Sequence, residues 1–498
     1  MELLSPAGNV EKLEYCYTYG ADAAYIGLKN FSLRVKADNF YEDEYRKVID
    51  LKNRFPGKRL HCALNISFHN NEVDRLIENI PYFKEYPIDA FIIQDLGILP
   101  IIQKNFPDAE LHLSTQASCM NREAVKMYRS LGFKRVVMGR EASLKEIKEI
   151  KDAVPDMEIE CFVHGAMCIA YSGRCLMSAY LNGRSAQSGF CSHTCRWDYD
   201  TLIDNTGLGH EYDSPYSHEA RQIAQSGAMV LREHKRPDEY FPVYEGENFT
   251  AVMSSKDLCM IDHLKDFKDA GVDSLKIEGR MKSAYYVAII TRAYRKALDA
   301  LEGKISQEEA KPFVDMLYEV SHRPYGTGFY DNRSAADVTV CGASDSPFEL
   351  AAEIGAQLTD EEEKQILKKA SELKQRKDDE YAGLCDEAKK AWDERVKNAP
   401  DKHLKTAEKI EGWKMYNLRA LNMIDVETEL ELVTPDIVSS LFPQEHFRMI
   451  NPGTGEIYNW VCDGHSCVIY TDKDIKAGDL LRSRDKGYIQ GEFRDPGR

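Results

Sequence analysis

The chain has 498 residues, of which 43% are hydrophobic and 30% are charged, with a formal net charge of −17. This composition excludes collagen-like, wholly disordered and multi-span membrane proteins, and the length predicts roughly two to four domains. The N-terminus, MELLSPAGNVEKLEY, lacks a basic-then-apolar leader, and no apolar run reaches transmembrane length, so we expect a cytoplasmic protein without a membrane partner. The acidic charge disfavours loose binding to phosphate backbones, so a nucleic-acid partner would need a local basic patch.

The first half of the chain repeats a short apolar strand followed by an amphipathic helix. The predicted strands are Glu2–Ser5, Ala23–Gly27, His61–Asn65, Ala90–Gln94, Glu110–Ser114, Arg135–Gly139, Glu158–Val163 and, after a long gap, Asp273–Ile277. Apolar residues at a 3.6-residue period predict helices between most of them, over Val10–Tyr17, Glu72–Lys84, Asn121–Leu131 and Ser143–Val154. Ser143 and Glu146 predict a capping box at the start of the last of these helices.

Eight such units favour a closed (β/α)8 barrel over the open doubly wound sheet that the same pattern also fits. The strand count reaches eight, and no strand is followed by a G-x-G-x-x-G turn. We therefore expect an α/β protein with a TIM-like barrel, into which a cysteine-rich segment is inserted between the seventh and eighth strands.

Polar residues follow the predicted strands at their carboxyl ends, where a barrel builds its active site. They are Ser5, Asn65, Gln94, Asp95, Ser114, Gln116, Arg140, Glu141, His164, Lys276, Glu278 and Arg280. A single polar residue at such a position more often makes a structural hydrogen bond or a loop contact than takes part in catalysis. The occurrence of twelve such residues together is therefore the stronger indication of an active site. The catalytic candidates are Glu278, Arg280, Lys276, Arg140, Glu141 and His164.

These candidates divide by the chemistry of their side chains. Arg140, Lys276 and Arg280 can bind a carboxylate co-substrate, and Glu278 and Glu141 can transfer protons. The alternative for both groups is a set of ion pairs that orders the rim of the barrel.

Five of the thirteen cysteines crowd into residues 161–195. Four of them follow the pattern Cys168-x6-Cys175-x15-Cys191-x3-Cys195. Four thiolates can hold an iron–sulfur cluster or close a tetrahedral zinc site. Zinc ribbons prefer closely spaced pairs, and only the last two cysteines are close, so the spacing favours a cluster over zinc, with free buried thiols as a third reading. Cys161 lies inside a predicted strand and is expected to be a small core residue.

The second half changes in character. Tyr285–Leu301 predicts a long helix, the turn-rich segment 322–332 (HRPYGTGFYDN) predicts a domain exit, and residues 359–410 are dense in Glu, Lys, Asp and Ala. We interpret this charged stretch as a helical, solvated surface insertion that core folding does not need, with a partner-binding arm as the alternative. Short strands return afterwards, at Lys414–Leu418, Glu429–Val433, Phe447–Ile450, Ser466–Tyr470 and Asp479–Arg482.

These strands predict a small C-terminal β-barrel, to which Phe348–Ala356 also belongs. The expected domains are a catalytic barrel over 1–340, the β-barrel over 341–358 plus 411–498, and the charged helical insertion over 359–410. Basic residues that could give the tail an RNA-binding surface are Lys473, Lys476, Arg482, Arg484, Lys486 and Arg494, interspersed with several acids.

The cysteine segment resembles a known signature. The run H-G-A-M-C-x6-C-L-M-S followed by C-S-H-T-C-R-W is similar to that of the collagenase-like peptidase family, the unassigned-peptidase family 32. The opening LLSPAGNVEKL, the block SSKDLCMIDHLKDFKDAGVDSLKIEGRMKS and the domain exit resemble other blocks of that family, and the tail resembles its C-terminal β-barrel. The resemblance covers roughly 1–340 and 412–485, and the charged insertion departs from it.

The resemblance implies two kinds of function. Some members are named for collagen degradation, and others are oxygen-independent hydroxylases with a four-iron four-sulfur cluster that act on tRNA, ribosomal RNA or quinones. This sequence looks most like the tRNA branch, which forms 5-hydroxyuridine at the wobble position with prephenate as hydroxyl donor. The resemblance implies cluster ligands at Cys168, Cys175, Cys191 and Cys195, and leaves room for a related partner subunit.

Three functions remain to be weighed. RNA hydroxylation uses the thiolates and basic strand ends, whereas a peptidase would need a nucleophile and base; the sequence has no H-E-x-x-H or G-x-S-x-G, and only Cys161 near His164 suggests a pair. The third is a non-catalytic, metal-stabilised RNA-binding or assembly protein. We expect the hydroxylase.

Overall fold

The computed structural model describes residues 1–28, 31–32, 39–168, 170–175, 229–232, 240–245, 250–251, 255–331, 346–398 and 405–484. The chain divides into two compact units, Met1–Asp345 with Ile489–Arg498, and Ser346–Tyr488. Among the helices of the described ranges, none is both long enough and apolar enough to cross a bilayer.

The first unit is built on a closed parallel barrel. Its strands are β1 (Glu2–Pro6), β2 (Ala23–Ile26), β3 (Arg59–Leu64), β4 (Ala90–Ile93), β5 (Glu110–Leu113), β6 (Arg135–Val137), β7 (Glu158–Ala166), β8 (Met229–Arg232), β9 (Tyr240–Glu245), β10 (Thr250–Ala251), β11 (Asp257–Cys259), β12 (Ser274–Ile277) and β13 (Tyr325–Gly326). Strands β12 and β1 to β7 pair in that order, and β12 also pairs with β7. Leu275 lies between Leu3 and Cys161, which closes the barrel and confirms the predicted closed architecture.

Helices follow the barrel strands. They are α1 (Val10–Thr18), α2 (Tyr45–Arg54), α3 (Asn70–Phe83), α4 (Leu99–Asn105), α5 (Arg122–Ser130), α6 (Leu144–Ala153), α7 (Leu264–Asp269), α8 (Ala284–Leu301) and α9 (Gln307–Asp315). The predicted capping box is confirmed, because the Glu146 amide donates to Ser143 Oγ at 3.3 Å and the Ser143 amide donates to Glu146 Oε2 at 2.8 Å. Satisfying these first-turn amides sets the start of α6.

The connection between β7 and β12 adds its own strands. Strands β8, β9 and β10 form a three-stranded antiparallel sheet, and β11 runs antiparallel beside β7 and parallel to β13. The segment predicted as a domain exit packs back onto the barrel, because the Tyr330 hydroxyl donates to the Phe162 carbonyl at 2.7 Å and Arg323 lies 3.1 Å from Asp257. Tyr330, which is 4% exposed, is therefore a core residue of the first unit.

The second unit is a nine-stranded antiparallel sheet with a helical hairpin. Its elements are β14 (Phe348–Gln357), α10 (Asp360–Ala382), α11 (Asp386–Asn398), β15 (Lys405–Thr406), β16 (Lys414–Ala420), β17 (Ile424–Asp425), β18 (Leu430–Val433), β19 (Ser440–Phe442), β20 (Phe447–Ile450), β21 (Glu456–Ile457), β22 (Trp460–Val461), β23 (Cys467–Thr471) and β24 (Leu480–Arg484). The order in the sheet is β15-β21-β20-β23-β16-β14-β24-β18-β19, and β17 pairs with β22. Strand β14 lies between β16 and β24, so Phe348–Ala356 joins the C-terminal strands as predicted.

Helix α10 is not the solvated insertion that its composition suggested. Ile366 and Ala370 are 4% and 0% exposed and belong to one apolar cluster with Met415, Val468 and Tyr470 of the sheet. The helix is therefore part of the core of the second unit. Two buried side chains are enough to join α10 to this core. The apolar stripe of such a long, highly charged helix is narrow, so the sequence pattern does not reveal it.

Candidate active site in the barrel

The base of the barrel, at the amino ends of its strands, is filled by ion pairs. Arg135 of β6 contacts Glu2 of β1, and Arg59 of β3 contacts Glu110 of β5. Neither pair joins neighbouring strands, so both must cross the barrel interior. Arg135 is 3% exposed and also donates from Nε to Glu158 Oε2 at 2.9 Å. The amino ends of the strands are thus cross-linked from within.

A second layer of polar groups lies above these pairs. The His61, His112 and Glu160 side chains come from β3, β5 and β7, and each is 0% exposed. Glu160 accepts from Lys276 Nζ at 2.8 Å and from Arg135 Nη1 at 3.0 Å. Burial by itself would raise the Glu160 pKa, but these two cations hold it down at about 2. Burial lowers the pKa of both histidines, so they are neutral at pH 7.

This layer could hold a metal ion. One ligand atom each from His61, His112 and Glu160 lie within 4.8 Å of one another, and neither ring nitrogen of His61 has a hydrogen-bond partner. Two neutral imidazoles and a carboxylate are donors that divalent metals accept. However, an ion here would share Glu160 with Lys276 and Arg135, which already balance its charge.

The mouth of the barrel, at the carboxyl ends of the strands, brings two predicted residues together. Arg140 Nη2 lies 3.8 Å from Glu278 Oε2, and the guanidinium carbon lies 4.0 Å from the centre of the Phe162 ring. Arg140 Nη1 donates to the Ala166 carbonyl at 2.7 Å. The Tyr25 hydroxyl donates to the Ile277 carbonyl at 3.0 Å and lies 3.4 Å from Glu278 Oε2. A basic and an acidic side chain are therefore fixed beside an aromatic surface.

Arg280 is held at the same end by close packing. Its guanidinium donates from Nη2 to Ser32 Oγ at 3.0 Å, and the residue is 3% exposed. A Cβ atom at Gly27 would overlap Arg280 Nη1, and one at Gly8 would overlap the Arg280 carbonyl oxygen. The two glycines therefore make room for the arginine and its backbone.

The segment that carries the first two cysteines of the pattern is held over the strand ends. Glu141 Oε1 accepts from the Ser172 amide at 2.7 Å, and Ser118 Oγ donates to the Ser172 carbonyl. Gly173 has φ +71°, and a Cβ there would overlap the Gln116 carbonyl oxygen. Glycine is required at this contact because its backbone is left-handed and closely approached.

Cys168 is exposed and Cys175 partly exposed, and neither is in a disulfide. Cys191 and Cys195 lie outside the described residues. Two accessible free thiols on a segment fixed at the mouth fit the donor chemistry of an iron–sulfur or zinc site. Cys168 and Cys175 would supply two of its ligands.

Two other catalytic candidates lie away from the mouth surface. Lys276 points into the barrel interior toward Glu160, with Nζ 4.6 Å from the centre of the Tyr25 ring. His164 is 1% exposed, and its ring nitrogens lie 3.4 Å and 3.5 Å from the Tyr294 and Tyr325 hydroxyls. The His164 pKa is lowered to about 3, mainly by burial and to a smaller extent by the nearby charges of His322 and Lys282.

Several other polar strand ends make local contacts, the alternative that the sequence left open. Ser5 Oγ lies 2.8 Å from Thr291 Oγ1 on α8. Gln94 Nε2 donates to Ser67 Oγ at 3.0 Å, and Asp95 accepts from the Gly97 amide at 2.9 Å. Gln94 and Asp95 order loops at the mouth, whereas Ser5 joins β1 to α8.

The polar interior of the barrel is not among the features predicted from the sequence. The signal was present as charged or imidazole residues two positions apart inside apolar strands, in Arg59-Leu60-His61, Glu110-Leu111-His112 and Glu158-Ile159-Glu160. Residues two apart share a face of a strand, so three such strands predict a polar layer.

Comparison with known proteins agrees with the fold and the motifs. The profile of peptidase family U32 matches residues 8–339. The chain is 40% identical over 341 residues to tRNA hydroxylation protein P of Escherichia coli (strain K12), covering 66% of this chain and 74% of that protein. It is 36% identical over 334 residues to tRNA hydroxylation protein P1 of Bacillus subtilis (strain 168), covering 66% and 71%.

A third relative has a name that refers to a different RNA. The chain is 33% identical over 362 residues to the 23S rRNA 5-hydroxycytidine C2501 synthase of Escherichia coli (strain K12), covering 71% of this chain and 48% of that protein. The profile match extends over the whole described barrel from α1 onward, including both described cysteines of the pattern. The chain therefore belongs to peptidase family U32.

Proposed function

We propose that this protein is an RNA-modifying enzyme that hydroxylates the wobble uridine of tRNA at C5, without molecular oxygen. Two relatives of 40% and 36% identity are named tRNA hydroxylation proteins, and a third is named a hydroxycytidine synthase of ribosomal RNA. The observation that carries the proposal is the position of Cys168 and Cys175 on a segment bound to the strand ends that present Arg140 and Glu278.

The four-cysteine pattern is proposed to hold a four-iron four-sulfur cluster, with zinc as the alternative. Such a cluster, when bound, supplies one-electron redox chemistry. Cys168, Cys175, Cys191 and Cys195 are the proposed ligands. Ser172 and Gly173, which lie between the first two, are tied to Glu141 and packed on Gln116, so the segment is positioned at the mouth by the chain itself.

The basic residues at the mouth are proposed to bind a dicarboxylate hydroxyl donor of the prephenate type. A guanidinium offers paired N–H donors that match a carboxylate. Arg280 is the proposed anchor, and Arg140, which rests on the Phe162 ring, provides the second cation. Glu278 lies 3.8 Å from Arg140 and is the proposed proton-transfer group.

The sequence suggested Cys161 and His164 as the nucleophile and base of a peptidase. The surroundings of these two residues argue against that role and so support the hydroxylase proposal. Cys161 is 1% exposed, and burial raises the pKa of its thiol far above neutrality. His164 is enclosed by tyrosines and is neutral with a pKa of about 3. A buried thiol that remains protonated is a poor nucleophile, so this pair is not a catalytic dyad.

Mass spectrometry of tRNA nucleosides tests the function. A strain lacking this protein and any redundant homologue should lose hydroxyuridine-type modification, and the wild-type gene should restore it. Cys175→Ser should fail to restore it and should lose iron and labile sulfide after anaerobic purification. Cys462→Ser, at a partly exposed thiol in the second unit, should restore it fully.

Three results would count against the proposal. Unchanged modification in the deletion strain would refute the assignment to tRNA. Anaerobic protein with one zinc and no iron would refute the redox cofactor. Cleavage of gelatin by the iron-free protein would favour the peptidase instead.

A further inference from the structure

The second unit contains a groove between α10 and the sheet, lined on the sheet side by β15, β20, β21 and β23. Its volume is about 550 Å³. Five basic side chains line it, against the two acidic side chains of Asp378 and Glu408; the basic ones are Lys374, Lys377, Lys405, Lys409 and Arg448. A local excess of positive charge in a chain of net charge −17 is the basic patch that a nucleic-acid partner requires.

The cations of the groove are only partly neutralised. Lys374 Nζ lies 2.6 Å from Glu408 Oε1, which accounts for one of the two acids. Lys377 Nζ is shielded from solvent and has no hydrogen-bond partner. Burial lowers the Lys377 pKa, although the nearby charge of Glu456 raises it in part, so the ammonium group is desolvated without full compensation. An anionic ligand in the groove would complete that compensation.

The groove rests on rigid elements. The Tyr470 hydroxyl donates to the Ile410 carbonyl at 3.0 Å and accepts from the Ile410 amide at 2.8 Å, which fastens the segment after β15 to the sheet. The Arg448 guanidinium lies 5.6 Å from the Trp413 ring centre and donates to the Gln444 carbonyl at 2.9 Å. Ile366 and Ala370 anchor α10 to the same sheet. The cations are therefore presented on a fixed surface.

Of the basic residues that the sequence suggested in the tail, Arg482 is already committed to an ion pair within the second unit. Arg482 is 3% exposed, and its guanidinium donates to Glu431 at 2.7 Å and 2.8 Å. Lys486 and Arg494 lie outside the described residues. The groove instead combines lysines of the charged helical segment with residues of the sheet.

We propose that this groove binds the phosphate backbone of the tRNA substrate. The inference rests on the proposed function for the identity of the RNA, and assigns to the second unit the sequence-independent part of its affinity. Phosphates attract lysine and arginine through charge, with little demand on base sequence. The charged helical segment thereby acquires a role as one wall of an RNA-binding site.

Charge reversal in the groove tests the inference. In the full-length protein, Lys405→Glu combined with Lys409→Glu should weaken binding of unmodified tRNA on the order of tenfold at low salt. The plot of log affinity against log salt should lose about 1 in slope for each lysine that contacts a phosphate, hence about 2 in all. Fluorescence anisotropy with labelled tRNA across a salt series measures both quantities.

The matched control is Lys364→Glu combined with Lys368→Glu. Both lysines are exposed on α10 and neither lines the groove, and the net charge of the protein changes equally. The control should keep its affinity within twofold. Equal losses in both variants, or no loss in the groove variant, would overturn the inference.

Hydroxylation assays separate this inference from the proposed function. If the wild type modifies tRNA, the groove variant should raise KM for whole tRNA and leave kcat unchanged. If the wild type leaves tRNA unmodified but the groove variant still loses tRNA affinity, the groove stands and the proposed reaction falls. If the wild type modifies tRNA and the groove variant binds it normally, only the groove inference falls.

Discussion

The two ends of the barrel interior use polar residues in different ways. At the base and in the polar layer directly above it, Arg135 and Lys276 meet carboxylates directly, and Glu160 accepts from both at 3.0 Å or less. At the mouth, Arg140 and Glu278 are 3.8 Å apart, and Arg140 is held by a backbone carbonyl and an aromatic ring. The base is a closed ionic network, whereas the mouth holds its charges in place without joining them tightly.

This difference separates structural from functional polarity. Charges buried in mutual contact satisfy one another and have little capacity left for a ligand. A cation fixed by a carbonyl and a ring keeps its attraction for an incoming anion. Whether a buried cation lies near other polar groups is thus a poor guide to its function. Whether its partner is a carboxylate or a neutral group is a better guide.

Removal of a cation from the base should give the largest effect. Arg135→Met leaves Glu160 buried with one counter-ion fewer, so the free energy of unfolding should fall by about 3–5 kcal/mol. Denaturant titration measures it. Arg129→Met is the control, since its pair with Asp156 is more than half exposed and should contribute under ~1 kcal/mol. Similar small losses in both would show that the base is not a structural network.

Removal of a cation from the mouth should affect binding more than folding. Arg280→Ala should weaken binding of a prephenate-type dicarboxylate by about 2–5 kcal/mol, because a buried charge pair with the ligand is lost. Titration calorimetry measures this change, and the iron content should not change. Arg122→Ala, at an exposed position on α5, is the control. Unchanged affinity in Arg280→Ala would move the anion site toward Arg140.

The pH dependence of the unfolding free energy should show whether His164 is buried or accessible. Burial holds the pKa of His61, His112 and His164 below the ordinary value of 6.5, and that of His164 at about 3. Below pH 6.5 the unfolded chain therefore binds protons that the folded chain does not, and stability falls as pH falls. Each such histidine contributes at most about 1.4 kcal/mol per pH unit.

Replacement of one histidine isolates its share. Between pH 6.5 and pH 5, the His164→Phe variant should take up one proton fewer on unfolding, so its unfolding free energy should fall less steeply with falling pH. His61 and His112 should still contribute to the slope in this variant. Unfolding titrations at several pH values measure the slope. An unchanged slope would mean that His164 is protonated in the folded state, which would place it at an accessible site and not among the tyrosines.

Much of the fold could be predicted because its signals are local. Alternation of apolar strands and amphipathic helices predicted eight barrel strands, and each is observed within three residues of its predicted bounds. Ser143 and Glu146 predicted a helix start because a capping box spans only four residues. The role of Ile366 and Ala370 could not be predicted, because two apolar residues on a charged helix become a core only when a sheet packs on them.

For the candidate site, the sequence by itself determined which residues end the strands and how the cysteines are spaced. Only the tertiary structure decided that Arg140 meets Glu278 while Lys276, a mere two residues before Glu278, turns inward to Glu160. Alternation tells which residues share a face of a strand, but it does not tell which strand lies across the barrel. That partner depends on how the sheet closes and on its register, which are properties of all eight strands together.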